Sequence, residues 1–266
     1  MTYIDRVATL LAAQRRHLIL ERLRAGGAVR VSQLTEELSV SEMTVRRDLD
    51  HLAAQGLCRK VHGGACLTGS TSDEPGFAAK SGANLAAKQA IGRAGAALVR
   101  PGQAVGVSAG TTTYWVAVEL ARRAAREQIT VVTNSLPASE ALAGGDGDVQ
   151  VILTGGARTP SQALVGPVAQ ATLGGLRLDW LFLGVHGLDP EAGLTTPNLA
   201  EAATNRAFMA TAGSTVVTAD ASKWGVTALA QIAPLARVSH LVTDAAPPPA
   251  AAKAIKRQRI DLTIAR

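Results

Sequence analysis

The stretch "SVSEMTVRRDLDHLAAQG" (39–56) sets two guanidinium groups side by side, Arg46 and Arg47, shortly after Ser41, a residue that can cap a helix. Val45, Leu49 and Leu52 recur at i, i+4 and i+7, the spacing of one buried helix face. At about 100° per residue, that stripe turns Met43, Arg47 and Asp50 outward, with Thr44 and Arg46 on the shoulders. An arginine fork can bridge guanine O6 and N7 or hold a phosphate, so such a face suits the DNA major groove. An Arg-Arg pair by itself is usually only a solvated helix face. The next twelve residues shift the balance. "GLCRKVHGGACL" (56–67) reads as strand, turn, strand, with Arg59 and Lys60 on the first strand. Gly63 and Gly64 are able to take the positive φ of a tight hairpin, and His62 stands in the turn. A basic hairpin behind a recognition helix is a wing that tracks phosphates.

A second kind of chemistry lies further along. "SAGTTT" (108–113) joins a strand to a helix, where backbone N–H groups and threonine hydroxyls can cradle an anion. "TNS" (133–135), "TGG" (154–156), "GVHG" (184–187) and "ADASKWG" (219–225) end other apolar runs, the last supplying Lys223. A Gly-Thr turn alone is most often just a helix start. Several converging at one sheet edge make a small-anion pocket, and none matches a P-loop or GxGxxG.

The elements that must position these groups are legible in outline. "QRRHLILERLRAGG" (14–27) is a helix stopped by two glycines. "VSQLTEELSV" (31–40) is a second, with Ser32 as N-cap and Leu34 and Leu38 on one face; Ser41 caps the third and Gly56 stops it. After a linker, "LAAKQAIGRAGAALV" (85–99) is an amphipathic helix, and short β-type runs then alternate with helical ones to the end. That alternation predicts a mostly parallel sheet covered on both faces, hence an α/β fold behind a helix-turn-helix.

The order of residues 12–67 resembles the N-terminal domain of the DeoR family of bacterial repressors, with "VSEMTVRRDL" and "VHGGA" as the core of the likeness. The likeness continues over 85–245 through "GTTT", "VVTNSLPAS", "ILTGGARTPSQALVGPVA", "LDWLFLGVHGLDPEAGLTTPNLAEA" and "ADASKWG". It implies a winged helix-turn-helix at 12–67, a linker at 68–84, and an effector domain at 85–266 similar in fold to ribose-5-phosphate isomerases. DNA would be met by Ser41, Met43, Thr44, Arg46, Arg47, Arg59, Lys60 and His62. A phosphorylated sugar or polyol would be held by Gly110, Thr111, Thr112, Thr113, Asn134, Gly156, Gly187, Glu201 and Lys223. Many relatives carry Asp-Ser before the glycine of "GTTT"; Ser108 and Ala109 stand here. The implied function is an operator-binding repressor, a homo-oligomer without cofactor or metal.

Two rival functions remain open at the level of sequence. A sugar-phosphate isomerase needs a general base and a proton-managing partner at the substrate. "GVHGLDPEAGLTTPNLAEA" keeps Asp189 and Glu201 but no lysine and no carboxylate cluster. An architectural DNA-binding protein would show no sequence preference. Composition bounds both readings: 266 residues, 47% hydrophobic, 18% charged and a net charge of +6 fit a folded chain with an acidic partner. The sequence pI is about 9.8. Residues 1–67 hold 10 Lys/Arg against 7 Asp/Glu, the denser part of that excess. Two cysteines, Cys58 and Cys66, point to thiols of a reducing cytoplasm and not to a disulfide scaffold. No run reads as a signal peptide or a spanning helix.

Overall fold

A computed structural model of the chain describes residues 11–26, 28–54, 57–61, 63–67, 76–124, 128–145 and 149–266. The chain divides into two compact units, 1–70 and 71–266.

The first unit runs α1 (Ala12–Gly26), β1 (Ala28–Arg30), α2 (Val31–Leu38), α3 (Glu42–Ala54), β2 (Cys58–Val61) and β3 (Gly64–Leu67). Ile19 and Leu23 of α1, Leu34 and Leu38 of α2, and the expected stripe Val45, Leu49 and Leu52 of α3 fill one core. Ser39 turns the chain between α2 and α3 at φ 51°, and its N–H closes onto the Thr35 carbonyl. The Ser41 hydroxyl then accepts the Thr44 N–H at 3.2 Å, the cap expected for α3. Gly27 and Gly56, expected as helix stops, lie outside the described residues.

Two local features differ from expectation, and a third is one that the sequence did not assign. Ser32 is exposed inside α2 and does not cap it; Arg30 holds the N-cap position, and its side chain does not cap the helix. The reason is β1, a third strand that leads straight into α2, so the Gly63 carbonyl takes the Val31 N–H at 2.8 Å instead. The glycine pair also divides its labour. Gly63 alone has the positive φ, 80°, while a Cβ on Gly64 would lie 2.0 Å from the Val29 carbonyl oxygen of β1. Finally, Asp48 is 5% exposed, its carboxylate taking Arg15 Nε of α1 at 2.5 Å. It stands three residues after Val45, on the inward stripe.

In the second unit α4 (Phe77–Ser81) and α5 (Leu85–Ala96) precede β4 (Ala104–Val107), α6 (Thr113–Ala124), β5 (Ile129–Thr133), α7 (Leu136–Ala143) and β6 (Val149–Leu153). Then come β7 (Ala157–Arg158), β8 (Leu164–Val165), α8 (Pro167–Gly174), β9 (Leu178–Gly184), β10 (Gly187–Asp189), β11 (Gly193–Thr196) and α9 (Leu199–Thr211). β12 (Ala212–Thr218), β13 (Ala230–Ala233), β14 (His240–Thr243), α10 (Pro249–Arg257) and β15 (Asp261–Ile264) complete it.

Seven strands form one parallel sheet in the order β15-β14-β12-β9-β4-β5-β6, with β10-β11-β13 and β7-β8 as small antiparallel additions. Both faces are buried, as parallel sheets require. Leu181 and Leu183 of β9 pack with Leu173 of α8 and Phe208 of α9, whereas Phe182 between them packs with Ile91 of α5 and Val116 of α6. Of the expected linker 68–84, residues 76–84 are described; they form α4 and a turn belonging to this unit, and 68–75 lie outside the described residues.

Breaking the Arg15–Asp48 pair leaves a desolvated guanidinium, so Asp48→Ala is expected to cost about 3 kcal/mol. Urea unfolding followed on the first unit checks this; a loss below about 0.5 kcal/mol would mean the pair behaves like a surface ion pair.

Candidate functional site

The first surface is the outer face of α3. Met43 is 60% exposed, and Arg46, Arg47 and Asp50 are exposed beside it, with Thr44 half-buried at the start of the helix. Arg46 Nη2 lies 3.3 Å from Glu42 Oε2, one turn back. Lys60 of β2 forms an ion pair with Asp50, which ties the wing to the recognition helix. The Arg47 guanidinium makes no hydrogen bond or ion pair among the described residues. Its fork is therefore open to an outside partner. Arg59 is placed on β2 by its backbone, and His62 lies outside the described residues.

The second site follows from strand order. From β4 the chain moves through β5 to β6 on one side, then returns to β9 on the other and continues outward through β12, β14 and β15. Connections leaving β4 and β9 therefore diverge, and a crevice opens past their carboxyl ends. A cavity lies there. Ala109, Gly110, Thr111 and Thr112 line it from the β4 side, and Gly184, Val185 and His186 from the β9 side. Phe77 and Lys80 of α4, Ser161, Thr196, Glu201, Asn205 and Lys223 close the rest.

The loop after β4 is braced from behind. Gly184 N–H donates to the Ser108 hydroxyl at 3.0 Å, and Ala109 N–H to Asn134 Oδ1 at 2.9 Å. Asn134 Nδ2 in turn donates to the Leu164 carbonyl at 3.1 Å. Thr113 Oγ1 donates to the Ser108 carbonyl at 2.7 Å and the Gly110 carbonyl at 3.0 Å. The N–H groups of Gly110, Thr111 and Thr112, ahead of α6, donate to nothing among the described residues. They are the donors an anion would meet.

Of the nine residues expected to hold the effector, the structure thus brings Gly110, Thr111, Thr112, Glu201 and Lys223 to the cavity wall. Thr113 and Asn134 are buried behind it as braces. Gly156 shapes the turn after β6 at φ 117°, where a Cβ would meet the Val165 carbonyl oxygen at 2.5 Å. Gly187 opens β10, its place for a Cβ taken by the Val226 carbonyl oxygen at 2.1 Å.

Charge at the cavity leans positive. The Lys223 ammonium makes no hydrogen bond or salt bridge among the described residues. Lys88 of α5, 3% exposed, donates to the Lys80 carbonyl at 2.5 Å. Burial pushes its ammonium down from 10.5 to about 8 against the pull of Asp220, with Lys223 and Lys80 adding to the fall. Burial would raise the Asp220 carboxyl, but Lys223, two hydrogen bonds from Ser222 and Lys88 outweigh it and hold the group low. His186 is driven from 6.5 to about 3 by burial, then by Lys223 and Lys80, so its imidazole is neutral at physiological pH. Its buried Nδ1 has no hydrogen-bond partner among the described residues.

Glu201 faces this cluster from the first turn of α9. Its carboxylate accepts the Thr159 hydroxyl at 2.8 Å, the Ser161 hydroxyl, and the Thr196 hydroxyl at 3.4 Å. These hydroxyls fix the orientation of the carboxylate. Asp189 is spent in its own turn, accepting Glu191 and Ala192 N–H at 2.8 and 2.9 Å. Sequence reasoning missed Lys80, Lys88, His186, Ser161 and Asn205. His186 stood inside the "GVHG" turn already singled out, and Lys88 three residues before Ile91 on the buried face of α5.

Residues 15–71 match the DeoR-like helix-turn-helix domain, and residues 83–245 match the DeoR C-terminal sensor domain. The chain belongs to the DeoR family. It is 37% identical to the HTH-type transcriptional regulator GlpR of Haloferax volcanii, over 88% of this chain and 91% of that one. It is 30% identical to the glycerol-3-phosphate regulon repressor of Escherichia coli K12, over 94% and 98%. These DeoR-type relatives are named as transcriptional regulators and not as enzymes. Ribose-5-phosphate isomerase A of Methanocaldococcus jannaschii aligns over 52% of this chain and 53% of its own, at 16% identity and TM-score 0.39, and carries no activity with it. Among the described residues no helix is long and apolar enough to cross a membrane.

The His186 environment has a measurable consequence. Below about 6.5 the unfolded chain binds a proton that the folded chain refuses until about 3, so stability falls as pH drops through that window. His186→Gln is expected to flatten that part of the stability–pH curve. An unchanged slope, or an imidazole titrating near 6.5 by NMR, would contradict the buried neutral ring.

Proposed function

We propose that this DeoR-family protein represses carbohydrate-metabolism genes by holding operator DNA, and that a phosphorylated sugar or polyol releases it. In this reading 12–67 is the DNA-binding domain, 85–266 the effector domain, and 68–84 the connection. The protein works as a homo-oligomer in the cytoplasm, its two-fold symmetry matched to operator half-sites. The observation that carries the reading is the pairing of an unengaged arginine on a winged recognition helix with a lysine-rich cavity at the switch point of the sheet. A relative named for a glycerol-3-phosphate regulon supports the same class of effector.

On DNA, Ser41 fixes the start of α3, and Met43, Thr44 and Arg47 face the bases. Arg46, Arg59, Lys60 and His62 meet phosphates; the exposed pairs Glu42–Arg46 and Asp50–Lys60 are weak enough to exchange for them. In the cavity, Gly110, Thr111, Thr112 and Lys223 hold the phosphate, and Glu201 orients hydroxyls. Thr113, Asn134, Gly156 and Gly187 keep the surrounding loops in place. Effector acts only through different affinities for the DNA-competent and released arrangements.

Arg47→Ala is expected to cost about 1–3 kcal/mol on a duplex selected by the protein from random sequence, and much less on unrelated duplex. Equal losses would make Arg47 a backbone contact. A thermal-shift screen of phosphorylated sugars and polyols identifies the effector by mass action. Lys223→Ala should then bind the duplex normally and fail to release it with that effector. Normal release by this variant would displace the phosphate site.

A further inference from the structure

The segment 76–84 crosses from the connecting residues to α5, and both of its ends are fastened to loops that line the cavity. At its start Phe77 N–H donates to the Pro160 carbonyl at 3.3 Å, next to Ser161 of the wall. At its end Asn84, at φ 52°, donates through Nδ2 to Asp220 Oδ1 at 3.0 Å, in the loop that carries Lys223. Between these clips the Phe77 ring meets Tyr114 of α6 edge-on at 5.9 Å, and the Lys80 carbonyl receives Lys88 Nζ. Phe77 and Lys80 are themselves cavity wall. A five-residue helix is too short to hold its own shape, so α4 owes its position to these contacts.

We propose that 76–84 is a ligand-sensing strap. Phe77 and Lys80 contact the bound molecule, Lys88 is the positioning residue beneath them, and occupancy is felt on the stretch of chain that leads to the DNA-binding unit. This rests on the effector reading of the cavity and adds to it a wall that moves with the ligand. An anion held between Lys223 and Lys80 joins the loop that carries Asp220 to the strap. The strap therefore tightens when the cavity fills, and the loops that bind the anion need not themselves reach the first unit.

Hydrogen exchange of the full-length chain tests this, with inorganic phosphate as the probe against chloride at equal ionic strength. The strap predicts that phosphate slows exchange in 76–84 by roughly tenfold, together with 109–113 and the Lys223 loop. Asn84→Gly removes one clip and eases the backbone at that position. It should keep the protection of 109–113 within about twofold and lose most of that in 76–84. Protection of 109–113 and the Lys223 loop with 76–84 unchanged in the parent chain would overturn the strap and spare the anion site. Full protection of 76–84 in Asn84→Gly would also overturn it. No protection anywhere would remove the anion site, and the strap with it.

Discussion

Parallel strands whose connections depart in opposite directions leave a gap that backbone cannot fill. β4 and β9 are hydrogen-bonded neighbours, yet the chain leaves β4 toward β5 and leaves β9 toward β12. The loops after β4 and β9 answer that divergence. Gly184 lets the two loops approach, since a Cβ there would stand 3.3 Å from the Ala109 carbonyl oxygen. Ser108 and Asn134 then pin the loop after β4, so its remaining N–H groups face the crevice.

The same gap gathers charge. Lysines from α4, α5 and the loop after β12 meet near His186, with Asp220 beneath them and Glu201 across the cavity. Confining cations in a poorly hydrated place is costly, which is why Lys88 titrates low and His186 stays neutral. An anion would relieve that cost, which supports the proposed effector role of the cavity. The smaller unit is arranged on the opposite principle. Its buried ionic pair, Arg15 with Asp48, locks α1 to α3, while Arg46, Arg47 and Lys60 stay on the surface, where water and phosphate compete for them on nearly equal terms.

How much of this could be read from residues alone depended on range. The stripe Val45, Leu49 and Leu52 is local, so the outward set on α3 followed directly. Asp48 was hidden because a carboxylate on an apolar stripe reads as an outward residue until its partner, thirty-three positions away, is known. The requirement for Gly64 is likewise invisible without β1, a strand of only three residues. In the larger unit the polar turns were legible as strand ends, but strand order was not. Nothing local says that β4 pairs with β9, and hence that "GTTT" and "GVHG" share a crevice. The family resemblance put Thr113 and Asn134 among the ligand donors, yet their side chains brace the loop. Lys80 lay in a stretch whose composition suggested only a linker.

In the proposed function an anion seats between the loop 109–112 and Lys223. A crystal of the full-length chain grown with tungstate, a tetrahedral phosphate mimic with strong anomalous scattering, tests it most directly. An anomalous peak is expected within hydrogen-bonding reach of the Gly110–Thr112 N–H groups and Lys223 Nζ. An occupied tungstate site elsewhere on the molecule, with that crevice bare, would contradict it.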